Sequence, residues 1–326
     1  MSLDADHIVD RRRMRRKLTF WRVLTVLIAV AGVAALAYAL APRAAGLGGS
    51  DYIARIKIQG LIRGDQERVE ALDRLGRSTT AKAVIVHVDS PGGTTAGAEQ
   101  LYDALTRLKG RKPTVVVIDG LAASGGYIAA LAADHIIAQE TSLVGSIGVL
   151  FQYPNFTELL KTLGVKVETI KSSPLKAAPS GFEPTSPEAR AAIDAIVRDT
   201  YEWFQRLVQT RRNMDQPLLE RVSDGRVFTG RQGIALKLID ALGDEKTAVA
   251  WLAKEKNVAA RTPVRDYKLE SRFSDLSFLH LATVTVLEAV GLRTLARRIE
   301  TWGTLQAMER LNLDGLLALW HPPISQ

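Results

Sequence analysis

The chain has 326 residues, a formal net charge of +8, no cysteine and five histidines. Without cysteine there can be no disulfide, thiol catalysis or cysteine-held metal, and no histidines stand at a metal-ligand spacing such as His-Glu-x-x-His. Much of the basic excess sits at the N-terminus with no aromatic-interleaved basic stripe, so the charge does not signal nucleic acid.

Residues 1–22 crowd Arg11, Arg12, Arg13, Arg15, Arg16, Lys17 and Arg22 together. Residues 23–41 then carry no charge. About 19 residues at roughly 1.5 Å each reach about 28 Å, enough to cross a hydrocarbon core. The positive-inside rule leaves 1–22 in the cytoplasm and sends everything after Pro42 across the membrane. A cleaved signal peptide is the competing reading, because Ala39-Leu40-Ala41 resembles a cleavage site. The apolar run exceeds a usual signal core, which favours an uncleaved anchor.

Residues 42–50 form a small-residue linker, and an α/β pattern begins at 51. Strands are expected at 53–60, 83–88, 115–118, 135–138 and 165–170, the last after a helix that Asn155 caps and that runs to Leu163. Helices are expected at 66–75, 94–109, 187–212 and 245–255, with Pro187 well placed as a first helical residue. Residues 226–243 read as a strand-turn-helix unit. Asp89-Ser90-Pro91-Gly92-Gly93 closes the second strand as a turn. The repeated alternation argues for a succession of parallel βαβ units. From 257 to 326 the character changes to a helical extension, charged and irregular at 261–277. Residues 278–319 are apolar but interrupted by charge, which suits an amphipathic helix better than a second span.

The chemistry centres on 113–126, where a buried strand meets Ala122-Ala123-Ser124-Gly125-Gly126. A serine between small residues at a strand-to-helix turn can meet a substrate closely. It can equally be a plain helix cap. A serine nucleophile needs a base. His87 and His135 lie in strands, where they could be ordinary half-buried residues. A lysine can serve only when neutral, so its ordinary pKa near about 10.4 must fall by several units through burial. Lys176, among Pro174, Leu175, Ala177, Ala178 and Pro179, is the candidate; an exposed loop lysine is the plain alternative. Gly93 and Gly125 can offer backbone N–H groups to a developing oxyanion.

Residues from about 50 to 255 resemble bacterial signal peptide peptidase A in its short, single-repeat form. Asp-Ser-Pro-Gly-Gly at 89–93, Ala-Ala-Ser-Gly-Gly-Tyr at 122–127, Gly-Ser-Ile-Gly-Val at 145–149, the loop 171–184 followed by Pro187-Glu188, and the unit 226–243 carry the resemblance in that order. Ser173, Pro174, Leu175 and Ala177 depart from the family's usual pattern around its lysine. The resemblance implies the spiral α/β core shared by Clp protease and crotonase, preceded here by one transmembrane helix. It implies a serine–lysine dyad: Ser124 as nucleophile, Lys176 as general base and then acid, and Ser146 orienting the lysine. Gly93 and Gly125 would form the oxyanion hole. No metal or organic cofactor is implied. The implied substrates are remnant signal peptides and other apolar peptides at the inner membrane, cut outside the cytoplasm through an acyl-enzyme. Ring- or dome-like homo-oligomers, in which neighbours complete each site, are implied as well. A Clp-type enzyme would need a histidine within 171–187, and none is there. A crotonase-type acyl-CoA enzyme, or an anchored scaffold without catalysis, are the other readings.

Overall fold

The computed structural model describes residues 21–22, 50–269 and 316–319. The expected membrane span at 23–41 lies outside them. Among the described residues no helix is long and apolar enough to cross a membrane.

The sheet grows from long apolar strands laid side by side. β1 (Tyr52–Ile62), β2 (Ala81–Thr94), β3 (Thr114–Ala123) and β4 (His135–Ala138) pair in parallel in that order. β-Branched runs such as Val84-Ile85-Val86 and Val115-Val116-Val117-Ile118 suit a sheet buried on both faces. Val84, Val86, Val88, Val116 and Ile118 join the larger core cluster, while Ala83, Ile85, Val115 and Val117 join a second one. That split follows from the two-residue period of side chains along a strand.

α1 (Gln66–Arg77) and α2 (Thr95–Lys109) cover the first face through Leu72, Leu75, Leu101 and Leu105. Asp65 and Thr94 cap them, accepting from the Arg68 and Gly97 amides. α3 (Gly125–Ala130) is buried throughout. β5 (Leu143–Gly145) pairs with the end of β3, and β6 (Leu150–Phe151) follows shortly after. Beyond come α4 (Thr157–Thr162), α5 (Pro187–Arg212), α6 (Gln216–Val222), β7 (Val227–Thr229), α7 (Gly230–Ala235) and β8 (Ala241–Leu242). α8 (Glu245–Glu255) packs Ala248 and Leu252 on the second face. β9 (Val264–Asp266) joins the outer edge of β1 in parallel. β10 (Leu316–Leu319) runs antiparallel to both β2 and β6. Among the described residues the result is a mixed ten-stranded sheet, parallel at its centre.

Four expectations change. The 89–93 motif is no turn after β2 but its continuation, because Leu61 and Ile62 pair with Gly92 and Gly93. The strand expected at 165–170 is irregular, with Val165 and Val167 about half exposed and Ile170 fully exposed. Among the described residues its apolar alternation pairs with no strand. Phe156, not Asn155, holds the N-cap position of α4, although Asn155 Oδ1 accepts from the Thr157 amide at 2.9 Å. The extension after 257 contributes strands β9 and β10 among its described residues, and apart from Leu316–Leu319 the helix expected within 278–319 lies outside them.

Candidate active site

Ser124 links β3 to α3 with φ 53° and ψ −116°. A non-glycine residue reaches that region only when its surroundings impose it, at about 1–3 kcal/mol. The restraints are visible. Its amide donates to the Gly145 carbonyl at 2.8 Å, and its carbonyl accepts from the Tyr127 and Ile128 amides at 2.9 and 3.0 Å. Its side chain makes no capping hydrogen bond to α3, so the plain helix-cap reading fails. Instead Oγ donates to the Gly148 carbonyl at a long 3.4 Å. The residue is almost wholly buried.

The glycines around it are demanded by close backbone approach. A Cβ on Gly126 would lie 2.6 Å from the Ser90 carbonyl oxygen, and one on Gly93 would lie 1.8 Å from the Ile62 carbonyl oxygen. Ser90 ties this corner together: its hydroxyl donates to the Gly60 carbonyl at 2.7 Å and accepts from the Gly92 amide at 3.1 Å. Ser90 also pairs with Ala122, two residues before Ser124. Tyr127 anchors α3 from below, donating its hydroxyl to the Leu238 carbonyl at 2.8 Å, and complete burial pushes its pKa up.

Ser146 follows Gly145, the acceptor of the Ser124 amide. It too has positive φ, at 52°, and donates its amide to the Arg226 carbonyl at 2.8 Å. The fold therefore gathers Ser124, Ser146, Gly93 and Gly125 around the ends of β2, β3 and β5. Lys176 does not share their burial. It sits exposed in the 171–186 loop, its amide donating to the Ser173 carbonyl at 3.1 Å, beside Ala177 at φ 57°. Among the described residues no hydrogen bond joins Lys176 to Ser124 or Ser146.

Neither histidine serves Ser124. His87 is clamped between Asp119 and Glu245, both at 2.9 Å. His135 stacks on Trp251 with ring centroids 4.6 Å apart, and burial lowers its pKa despite nearby Asp240. Among the described residues no cluster of histidine and carboxylate groups could hold a metal ion.

Residues 106–259 match the model of peptidase family S49, and residues 64–142 match that of Clp protease. Over 202 residues the chain is 34% identical to "Putative protease slr0021" of Synechocystis sp., spanning 62% of this chain and 73% of that protein. The chain belongs to peptidase family S49. It is also 31% identical over 192 residues to "Serine protease SPPA, chloroplastic" of Arabidopsis thaliana, spanning 59% of this chain and 28% of that protein. With "Protease 4" of Haemophilus influenzae it shares 28% over 228 residues, or 67% of this chain and 37% of that protein. The S49 match covers Ser124, Gly125, His135, Ser146 and Lys176 but neither His87 nor Gly93.

Two features of this S49 site were not foreseen in the sequence. One is Gly148, whose carbonyl is the partner of the serine hydroxyl; only its place after Ser146 hinted at a role. The other is a cavity of about 520 Å³ beside it, lined by Ile147, Val149, Val197, Arg198 and Tyr201 among others. α5 supplies the last three, and a helix face carries no local sign of the loop it will meet.

Proposed function

We propose that the chain is a serine endopeptidase in which Ser124 is the nucleophile and Lys176 of a neighbouring copy is the base. The observation that carries this is Ser124 itself: a buried, conformationally strained serine without a capping role, in a chain of a serine peptidase family. In the reaction, Lys176 takes the hydroxyl proton as Oγ attacks the peptide carbonyl. The C–O bond forms, and the developing oxyanion is held by the Gly93 and Gly125 amides. Collapse breaks the C–N bond as the lysine returns the proton to the leaving amine. Water then enters and loses a proton to the same lysine as its oxygen bonds the acyl carbon; the C–Oγ bond breaks, the acid leaves, and the lysine returns the proton to Oγ. Ser146 accepts a hydrogen bond from the lysine and aims it.

The neighbouring copy is needed for a physical reason. A lysine in water is charged and cannot accept a proton; removal from water disfavours the charge. Lys176 is exposed within one chain, so another surface must cover it. Its surroundings suit an interface: Phe156, Leu159, Leu163, Val167, Ile170 and Phe182 are exposed apolar side chains in the same 156–182 region. A ring or dome of copies, anchored by residues 23–41 with the catalytic domain outside the cytoplasm, would present the sites to remnant signal peptides and other apolar peptides in the inner membrane.

The test is hydrolysis of a synthetic leucine- and alanine-rich signal-peptide core by the full chain in detergent, read by mass spectrometry. Ser124→Ala and Lys176→Ala should each lower kcat/KM by at least about 10³-fold, within the range for loss of a nucleophile or general base. Mixing the two inactive chains before assembly should restore up to about a quarter of the activity, since neighbours pool their intact residues. Full activity of Lys176→Ala would remove the lysine from the mechanism.

A further inference from the structure

Lys176 stands in an irregular loop, and irregular backbone does not by itself hold a side chain in one place. This loop is pinched at its neck. Lys171 Nζ donates to Glu183 Oε1 across 12 residues of sequence, and the lysine side chain is only 15% exposed. Lys176 lies between the two partners. The same neck is docked on the segment that follows β6. The Phe156 amide donates to the Gly181 carbonyl at 2.7 Å, and the Phe156 and Phe182 rings stack with centroids 6.4 Å apart. A Cβ on Gly181 would lie 2.8 Å from the Pro154 carbonyl oxygen, so glycine is what lets the two backbones meet. The Tyr153 and Thr185 hydroxyls share a hydrogen bond. Ser186 then fixes the exit into α5, accepting from the Ala189 amide at 3.1 Å. Inside the neck the Lys176 amide reaches back to the Ser173 carbonyl, and the Ala178 amide to the Leu175 carbonyl.

These ties do different things. The backbone and ring contacts set where the loop sits, and the ion pair sets how wide it opens. A compact loop whose ends are held together moves as a unit rather than as a swinging tether. An ion pair in open water contributes little, but Lys171 is mostly withdrawn from water, so removing its partner leaves a half-buried charge that must find solvent. The neck widens as it does so. A general base works by geometry first: its nitrogen must come within about 2.6–3.2 Å of the hydroxyl it deprotonates. The pair also occupies Glu183. A free carboxylate on the same loop would be able to hold Lys176 in its charged state, the one that accepts no proton. We infer that Lys171 and Glu183 are positioning residues, whose ion pair closes the neck of the 171–183 loop so that Lys176 is delivered to one place. The inference rests on the proposed reading of Lys176 as the base, but the closure of the neck does not depend on catalysis. Neither residue needs to touch the reacting atoms.

The test is steady-state hydrolysis of the leucine- and alanine-rich peptide by the full chain in detergent, with sedimentation velocity on the same samples. Glu183→Gln keeps the size of the side chain and removes its charge. It should lower kcat about 10²-fold, the effect of displacing a reacting group by roughly 1 Å, with KM within about twofold and sedimentation unchanged. Lys171→Glu alone should be as poor. Lys171→Glu with Glu183→Lys rebuilds the pair with its charges exchanged and should bring kcat back to within about fivefold of wild type. A second arm needs no turnover. Amide hydrogen exchange across residues 172–182 should be about tenfold faster in Glu183→Gln, and unaltered elsewhere. An unimpaired kcat in Glu183→Gln beside an inactive Lys176→Ala overturns the inference. So does a charge swap no better than the single variants, unchanged exchange in the loop, or loss of assembly, which would make the pair part of an interface. If exchange quickens in the loop while no wild-type chain hydrolyses peptide, the closure of the neck stands and the peptidase reading is the part that fails.

Discussion

Of the six non-glycine residues with positive φ among the described residues, three, Ser124, Ser146 and Ala177, coincide with the proposed nucleophile, its orienting serine and the neighbour of the proposed base. Strain gathered in this way marks positions whose geometry serves something other than stability. Ser124→Gly should therefore raise stability by about 1 kcal/mol, the strain relieved less the backbone entropy that glycine adds to the unfolded chain. Activity should vanish with it. A urea titration beside the peptide assay checks both halves, and an unchanged or lower midpoint would deny the strain. Gly93→Ala should act oppositely. Its Cβ would fall on the Ile62 carbonyl, so backbone must move, and a loss above about 2 kcal/mol is expected in the same titration. The small residues around Ser124 were visible in the sequence. The reason for each glycine was not, because Ile62 and Ser90 reach them from distant parts of the chain.

Among the elements, α8 is fastened to the sheet by one chain of charges. Arg55 on β1 makes two hydrogen bonds to Glu245, at 2.5 and 2.6 Å, and one to Asp266 on β9 at 2.8 Å. His87 on β2 reaches the same Glu245 and Asp119 on β3. The Arg55 guanidinium holds the Glu245 carboxyl below its ordinary 4.5, aided by His87 and opposed by burial. The stabilisation this supplies is whole above the unfolded value and is lost as pH falls through the lower folded one. Unfolding midpoints measured from pH 6 downward should fall below about pH 4.5, and Glu245→Gln should flatten that acid limb. An identical limb in the variant would place the acid sensitivity elsewhere. The long helices were plain from the sequence, with Pro187 opening α5; the structure adds their caps, Ser186 for α5 and Asp244, in a capping box, for α8. Residues 165–170 misled for an equally physical reason. Alternating apolar residues specify a strand only when an edge receives them, and among the described residues none pairs with this segment.

At the scale of the molecule, the exposed apolar region at 156–182 and the exposed Lys176 are what the proposed second copy would cover. Ile170→Glu should dissociate the assembly, seen as a lower sedimentation coefficient, and should lower peptide hydrolysis in parallel because sites lose their lysine. Dissociation with full activity would mean that the lysine is supplied otherwise. By itself the sequence determined the parallel α/β core, the serine turn and the family resemblance. Those signals are local: β-branched runs, caps and short motifs act within a few residues of themselves. Only the tertiary structure decided that the Ser-Pro-Gly-Gly motif continues a strand, that Lys176 is exposed with no hydrogen bond to Ser124 in one chain, and that Leu316–Leu319 pairs along β2 at Gly92–Thr94. Each of those outcomes depends on which backbone edge is free once every other strand has been placed. No stretch of sequence carries that information alone, because a strand's hydrogen bonds are made to residues far away along the chain.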